Sequence, residues 1–328
     1  MVATLSAGGI LTGVKKHIYI YSPSSATRDK TALRRGIKRL MQAGYEVEVD
    51  EAAQVRFQRF AGEDEQRLAA ISRAAASGAD VAMISRGGYG LTRLLPAVDY
   101  KALARAIDKG CEFIGLSDFT ALQAALFAKT GRSTWAGPAL EADFGAVTEP
   151  DEITQACFDD FVLGQGEGTG WRLPKNAINL IAANARIYCA NMPFSSINGT
   201  CWGGNLAMLT SLLGTPYMPQ VKGGVLFLED VGEHPYRVER MLMQLLQAGV
   251  LAQQKAIIFG EFSNYKLAPN DRGFNLQGML DRLQTLVKAP LLTGLPFGHG
   301  PLKVVLPFGR KVRLVVEDRD AFLLWGHR

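Results

Sequence analysis

Apolar and polar positions in the first half of the chain switch between two periods. His17–Tyr21 is a short β-rich run, Asp29–Ala43 places Leu33, Ile37, Leu40 and Met41 on one helical face before Gly44, and Tyr45–Val49 is β-rich again. This is one βαβ unit. Glu63–Ala76 predicts a second helix, Asp80–Ser85 a buried strand and Tyr100–Asp108 a third helix. Glu112–Leu116 is a further apolar strand that runs directly into a helix over Asp118–Lys129. Strands separated by helices predict an α/β fold with a parallel sheet covered on both faces. Ligand sites in such sheets lie beyond the carboxyl ends of the strands. Both Arg86–Gly90 (RGGYG) and Ser117 sit at such ends.

Between Gly145 and Gly170 the pattern loosens. Only Glu152–Leu163 has helical spacing there, and GQGEGTG, with glycine at every second residue, has the composition of a linker. A domain boundary is expected at this point, separating residues 1–165, which carry Ser117, from residues 166–328. The second half is richer in strand-like runs, at Ala185–Cys189, Val225–Leu228, Ala256–Phe259 and Val312–Val316. Helices are expected at Asn205–Leu213, Tyr236–Ala248 and Leu276–Leu286, which together describe a mixed α+β domain.

Composition narrows the function. With 328 residues, 48% of them hydrophobic and 20% charged, the chain is an ordinary globular protein with ample core. Its 36 Lys and Arg against 31 Asp and Glu leave a formal charge of +5, but the excess is spread along the sequence. The densest basic stretch, Arg34, Arg35, Lys38 and Arg39, has helical spacing and no interleaved aromatics, which argues against a nucleic-acid partner. Cys111, Cys157, Cys189 and Cys201 lie far apart with no C-x-x-C pair, as reduced core residues of a cytoplasmic protein would. The apolar stretch near the N-terminus has no basic residue ahead of it and is broken by Gly8, Gly9 and Gly13, a poor signal peptide. No window approaches the roughly 18 uninterrupted apolar residues of a membrane span. The histidines are dispersed and no thiol pair has ligand spacing, so neither a metal nor a cofactor is expected.

Ser117 carries the most information, because a serine between a strand and a helix is exposed at the turn. Unpaired N–H groups and the positive end of the helix dipole then lie beside it, ready to stabilise an oxyanion. A serine that merely caps the helix is the plain alternative. GLSDF is not the G-x-S-x-G of α/β-hydrolases, since Phe119 stands where the last glycine would be. The RGGYG turn lets backbone approach a ligand closely, and it is no dinucleotide fingerprint, because position 93 is Arg rather than Gly or Ala. A nicotinamide oxidoreductase is weakened accordingly. A serine nucleophile needs a base. His17 opens an interior strand, His327 is penultimate, and His234 precedes Pro235 at a helix start, whereas His299 lies in the rigid LPFGHGP loop and is the first choice. For the carboxylate that orients the imidazole, Glu229, Asp230 and Glu233 all stand near the end of the Val225–Leu228 run.

These residues fall into blocks that resemble the LD-carboxypeptidases, a family of serine peptidases that includes the muramoyltetrapeptide carboxypeptidases and the microcin immunity peptidases. The blocks are SPSS (22–25), SRGGYGLTRLLPAVDY (85–100), FIGLSDFTAL (113–122), GGNLAMLTSLLGTPY (203–217), LFLEDVGEHPYRVERMLMQL (226–245) and GLPFGHGP (294–301), and they span nearly the whole chain. The resemblance implies a flavodoxin-like N-terminal layer, a barrel-like C-terminal domain and a site in the cleft between them. It also implies a triad of Ser117, Glu229 and His299, with the backbone N–H groups of Gly88 and Asp118 as oxyanion donors. The implied activity is release of a C-terminal D-amino acid, D-alanine, from the murein tetrapeptide of peptidoglycan recycling by a cytoplasmic homodimer. Arg86 and Trp202, the latter beside Gly203, are candidates for the substrate-binding wall. Where members often carry His-Gly-Pro, this chain has Ala136-Gly137-Pro138, a difference that bears on substrate detail. An immunity peptidase acting on peptidyl-nucleotide amides and a non-catalytic ligand-binding α/β protein are the competing readings.

Overall fold

In the structure, a computed structural model, residues 15–173 and 195–326 are described. The run Ala185–Cys189 and His327 lie outside them. The first half runs β1 (His17–Tyr21), α1 (Lys30–Gln42), β2 (Glu46–Val49), α2 (Asp64–Ala76), β3 (Val81–Ile84), α3 (Leu91–Leu94), α4 (Tyr100–Asp108), β4 (Glu112–Gly115), α5 (Phe119–Thr130), β5 (Thr134–Ala136) and α6 (Glu152–Leu163). Strands β2-β1-β3-β4-β5 are parallel and adjacent in that order, the flavodoxin-like arrangement. Side chains alternate along them as the pleat requires. Ile18, Ile20, Val81, Met83 and Ile114 enter an apolar layer with α1 and α6, while Tyr19, Tyr21, Ala82, Ile84 and Phe113 enter the opposite layer with α2, α4 and α5. Burial on both faces accounts for the near-continuous apolar runs of the sequence.

The second half contributes β6 (Gly168–Arg172), β7 (Ser195–Asn205), α7 (Leu206–Ser211), β8 (Val225–Val231), α8 (Pro235–Gln247), β9 (Ala256–Ser263), α9 (Leu276–Gln284), β10 (Leu291–Leu292), β11 (Leu306–Phe308), β12 (Lys311–Glu317) and β13 (Asp320–Leu324). Strand β11 crosses back to the first sheet and pairs antiparallel with β5, Leu306 opposite Ala136. The others form a mixed sheet in the order β10-β9-β8-β7-β12-β13-β6. Strand β7 is its seam: residues 195–200 pair antiparallel with β12, and residues 201–205 pair parallel with β8. The two edges approach where Trp171 Nε1 donates to the carbonyl of Thr293 at 3.2 Å, so the sheet curls toward itself in a barrel-like way. Gly309 N donates to Cys201 O at 2.7 Å and Cys201 N to Arg310 O at 2.8 Å, which stitches the two sheets together.

Three local outcomes differ from the sequence reading. GTG of the expected linker belongs to β6, because bare glycine faces at 168 and 170 accept Leu324 and Phe322 of β13, cross-strand neighbours that any Cβ would meet within 2.6 and 2.9 Å. Strand β7, with Asn198, Gly199, Gly203 and Gly204 along it, has no strand pattern in its sequence. The basic stretch of α1 is a clamp: Arg35 and Arg39 donate to the carbonyls of Phe144, Gly145 and Ala146. They hold a π-helical turn, Leu140–Phe144, against α1.

Helix α5 is buried on all sides from Phe119 to Leu126. It lies in one apolar cluster with the strands of the second sheet, an all-round hydrophobic helix in the seam of the molecule. Opposite it, Gly203 has φ +144°, and a Cβ there would lie 1.8 Å from the carbonyl oxygen of Phe227. Gly203→Ala is therefore expected to lose at least about 3 kcal/mol, from positive-φ strain plus separation of β7 from β8. Urea unfolding monitored by tryptophan fluorescence measures this, and a loss under about 1 kcal/mol would contradict that packing.

Candidate active site

Ser117 joins β4 to α5 with φ +63°, a left-handed conformation for a residue that is not glycine. Its hydroxyl caps nothing among the described residues; only its carbonyl serves the helix, accepting from Thr120 N at 2.9 Å. The following residue is diverted as well. The Asp118 carboxylate does not cap α5 but accepts from Leu91 N at 2.9 Å, which ties this turn to the end of the RGGYG turn. Burial raises the Asp118 carboxyl above the ordinary carboxylate range, although Leu91 N pulls the other way.

The RGGYG turn is itself held from two sides. Ser25 N donates to Gly87 O at 3.3 Å and Tyr89 N donates to Ser25 Oγ at 3.0 Å, so the SPSS block braces it. Gly88 has φ +110° and leaves room for nothing larger, since a Cβ would come within 2.2 Å of Ser25 Oγ. Gly87 lies directly against the serine, its absent Cβ position 2.8 Å from Ser117 Cβ. The backbone at Gly87 and Gly88 thereby lines the same cleft as Ser117.

On the opposite wall, His299 Nδ1 is 2.7 Å from Glu229 Oε2. Glu229 is fully buried at the end of β8, and Asn205 Nδ2 donates to its other oxygen at 3.2 Å. The same amide donates to Asp230 Oδ1 at 3.0 Å, and Asp230 also accepts from Ala207 N at 2.9 Å. Burial, and then the neighbouring charge of Glu229, push Asp230 up to about 6. Glu233 is outside this network, paired with Arg237 on the surface at 2.9 Å. Burial of His299 pulls its pKa down, but the hydrogen bond and charge of Glu229 outweigh that and hold it above the ordinary 6.5. The loop keeps the imidazole in place through its neighbours: Phe297 is in the core, Gly300 N donates to Glu261 Oε2 at 2.5 Å, and Gly300 O accepts from Lys303 Nζ. Lys303 is 2% exposed and paired at 2.6 Å with Asp143 of the π-turn.

Ser117, His299, Gly87, Gly88 and Arg86 line one open cleft of about 480 Å³, together with Arg28, Arg59, Lys303, Asn264 and apolar side chains. Trp202 is not on it. The indole is 1% exposed, buried in the core, with Nε1 donating to Gln254 Oε1 at 2.9 Å, and this corrects its expected place on the substrate wall. Its neighbour Gly203 bends the backbone, but a side chain that lies within the pairing of β7 with β8 points into the core. His17 contacts Glu48 at 3.1 Å and His234 contacts Asp271 at 3.0 Å, both away from the cleft. Sequence reasoning passed over Asn205, Lys303, Arg28 and Arg59. Only Asn205 left a signal, as an N-cap residue after two glycines, and it does cap α7 at Met208 N.

The N-terminal domain model of the LD-carboxypeptidases matches residues 18–137, and the C-terminal domain model of the same family matches residues 198–314. A probable murein peptide carboxypeptidase of Bacillus subtilis (strain 168) is 28% identical over 308 residues, 94% of this chain and 91% of that protein. The crystal structure of muramoyltetrapeptide carboxypeptidase from Oxalobacter formigenes is 37% identical, with a TM-score of 0.81 over 95% of this chain and 99% of its own. The microcin C7 self-immunity protein MccF, solved in complex with aspartyl sulfamoyl adenosine, is 25% identical, with a TM-score of 0.80 over 95% and 96% of the two chains.

The Asp230 environment predicts a pH signature. A carboxyl whose folded pKa is raised to about 6 binds its proton more tightly when folded, so the stability it contributes is present below the unfolded value near 4 and is lost as pH rises through 6. Asp230→Asn should flatten that part of the stability–pH curve, removing a fall of up to about 2–3 kcal/mol. Parallel curves for parent and variant between pH 4 and pH 6.5 in denaturant titrations would refute it.

Proposed function

The chain belongs to the LD-carboxypeptidase family, and from that membership we propose that it is a serine carboxypeptidase cleaving the amide between an L-configured centre and a C-terminal D-amino acid, with the murein tetrapeptide as substrate and D-alanine as product. One observation carries the reading. A histidine bonded to a fully buried glutamate lines the same cleft as a serine in a strained strand-to-helix turn. Greater identity to the muramoyltetrapeptide carboxypeptidase than to the immunity protein, at equal coverage, favours the murein peptide over a peptidyl-nucleotide.

In this mechanism Ser117 Oγ attacks the scissile carbonyl. His299 Nδ1–H donates to the Glu229 carboxylate, which leaves Nε2 to take the serine proton and later give it to the departing amine. Glu229 stabilises the imidazolium. The N–H groups of Gly88 and Asp118, at the facing ends of two braced turns, receive the oxyanion, and water then hydrolyses the acyl-enzyme. Arg86, held by Ala26 O at 2.9 Å, is the partner for the free C-terminal carboxylate. The reading extends to a cytoplasmic homodimer in peptidoglycan recycling. It also keeps a division near residue 165 between the half with Ser117 and the half with Glu229 and His299. Among the described residues no helix is long and apolar enough to cross a membrane.

Incubation with purified murein tetrapeptide, followed by mass spectrometry, should show the tripeptide and D-alanine. Ser117→Ala should lower kcat by about 10³-fold or more and abolish labelling by a fluorophosphonate, and near-parent turnover would remove Ser117 from the mechanism. Cleavage of a peptidyl-nucleotide amide but not the D-alanyl peptide would move the chain to the immunity branch. A pH profile tests the base. Because His299 must be neutral and its pKa is raised, the acid limb of kcat/KM should lie above pH 6.5, and Glu229→Gln should shift it downward while lowering kcat. An unmoved limb would mean that Glu229 does not govern the titrating group.

A further inference from the structure

Among the described residues the charged side chains on the cleft are all basic: Arg28, Arg59, Arg86, Lys303 and, when protonated, His299. Two of these charges are answered from behind. Lys303 is paired with Asp143, and Arg86 Nε lies 3.8 Å from Glu141 Oε2. Glu141 is itself committed, its Oε1 accepting from the backbone N–H groups of Arg28 and Asp29 at 2.9 and 3.0 Å. That pair of bonds fixes the chain at Arg28 beside Arg86. Arg59 is placed by the RGGYG turn, its guanidinium 5.5 Å from the centre of the Tyr89 ring. Neither Arg28 nor Arg59 has an ion-pair partner among the described residues. The crowding registers on Arg86, whose pKa is lowered first by burial and then by Arg28, with Arg59 and Arg56 adding to it against Glu141. Three guanidinium groups on one wall with only Glu141 paired to one of them are unfavourable until an anion arrives.

A departing residue such as D-alanine brings one carboxylate, and Arg86 suffices for it. That leaves two guanidinium groups on the same cleft with no anion to meet from the departing residue. Resting on the function proposed above, we infer that Arg28 and Arg59 form a subsite for a carboxylate carried by the acyl portion of the peptide, so that the enzyme selects substrates with a second anionic group upstream of the scissile bond. Planar guanidinium groups suit carboxylates in a way that lysines would not.

The test uses two tetrapeptides that both end in a free D-alanine and differ only upstream, with carboxylates free in one and amidated in the other. The parent should cleave the free peptide with a kcat/KM about 10- to 100-fold higher, carried mainly by KM and shrinking as ionic strength rises. Arg28→Gln/Arg59→Gln should bring the two peptides within about threefold, the loss falling on the free peptide, and Arg28→Lys/Arg59→Lys should restore part of the preference. Calorimetric titration of both peptides into Ser117→Ala reads the same preference without turnover. If the parent cleaves both peptides equally, or the Gln variant keeps the preference, the subsite falls and the proposed function stands. If neither peptide is cleaved but the free one binds more tightly in an Arg28- and Arg59-dependent way, the function falls and the subsite stands. Equal binding, or none, overturns the subsite as well.

Discussion

A left-handed backbone at Ser117 is the constraint on which the rest of the cleft depends. A non-glycine residue with φ +63° persists only where its surroundings leave it no alternative. Here they converge on it from three directions. Helix α5 is immobilised between two sheets, Asp118 is tied to Leu91 N, and the RGGYG turn presses Gly87 against the serine side chain. The strain removes Ser117 from capping duty and presents its hydroxyl to the cleft. In the proposed mechanism the interactions that enforce the turn also hold the backbone at Gly88 and Asp118, the proposed oxyanion donors.

The two halves of the chain meet through polar contacts that apolar packing alone would not require. Thr120 Oγ1 of α5 accepts from Asn205 N at 3.1 Å, and the Asn205 amide reaches Glu229, which holds His299. This is a continuous path from the helix behind the serine to the imidazole facing it. A buried glutamate would be costly if unpaired, and its two partners are what make its charge tolerable. Lys303 with Asp143 repeats the pattern on the other flank, joining the histidine loop to the π-turn that α1 clamps. The seam is therefore a network of satisfied charges, and a shift of one half against the other would unpair several of them together.

What could be read from the sequence follows from range. Residues adjacent in the chain, the β4–Ser117–α5 turn and the RGGYG turn among them, were legible because period and turn chemistry are local. The first sheet was legible because burial on both faces leaves long apolar runs. Strand β7 was not, since its glycines are there for close approach, Gly203 to Phe227 and Gly204 to Thr120, and those neighbours lie far off in sequence. Asp143 and Lys303, 160 residues apart, show nothing on their own that announces a pair. Trp202 misled because a glycine turn beside an aromatic reads as a pocket wall, whereas that glycine lets two strands close over the indole. Among Glu229, Asp230 and Glu233, periodicity could not choose; burial and contact with His299 single out Glu229.

Electrostatics at the cleft sets two demands against each other. In the proposed mechanism a basic rim draws an anionic peptide and favours a developing oxyanion, but positive charge near the imidazole drains its basicity, and Lys303 does lower the pKa of His299. Glu229 counters this from the buried side, where a low local dielectric makes one hydrogen-bonded carboxylate outweigh both burial and Lys303. Asp143 takes up much of the Lys303 charge before it reaches the ring. The cations that face solvent unanswered are Arg28 and Arg59, whereas the largest contributions to the His299 shift come from burial, Glu229 and Lys303. In the proposed mechanism the basicity of His299 is governed chiefly by groups buried behind the cleft, while attraction for anions falls to the exposed Arg28 and Arg59, so that each can be strong.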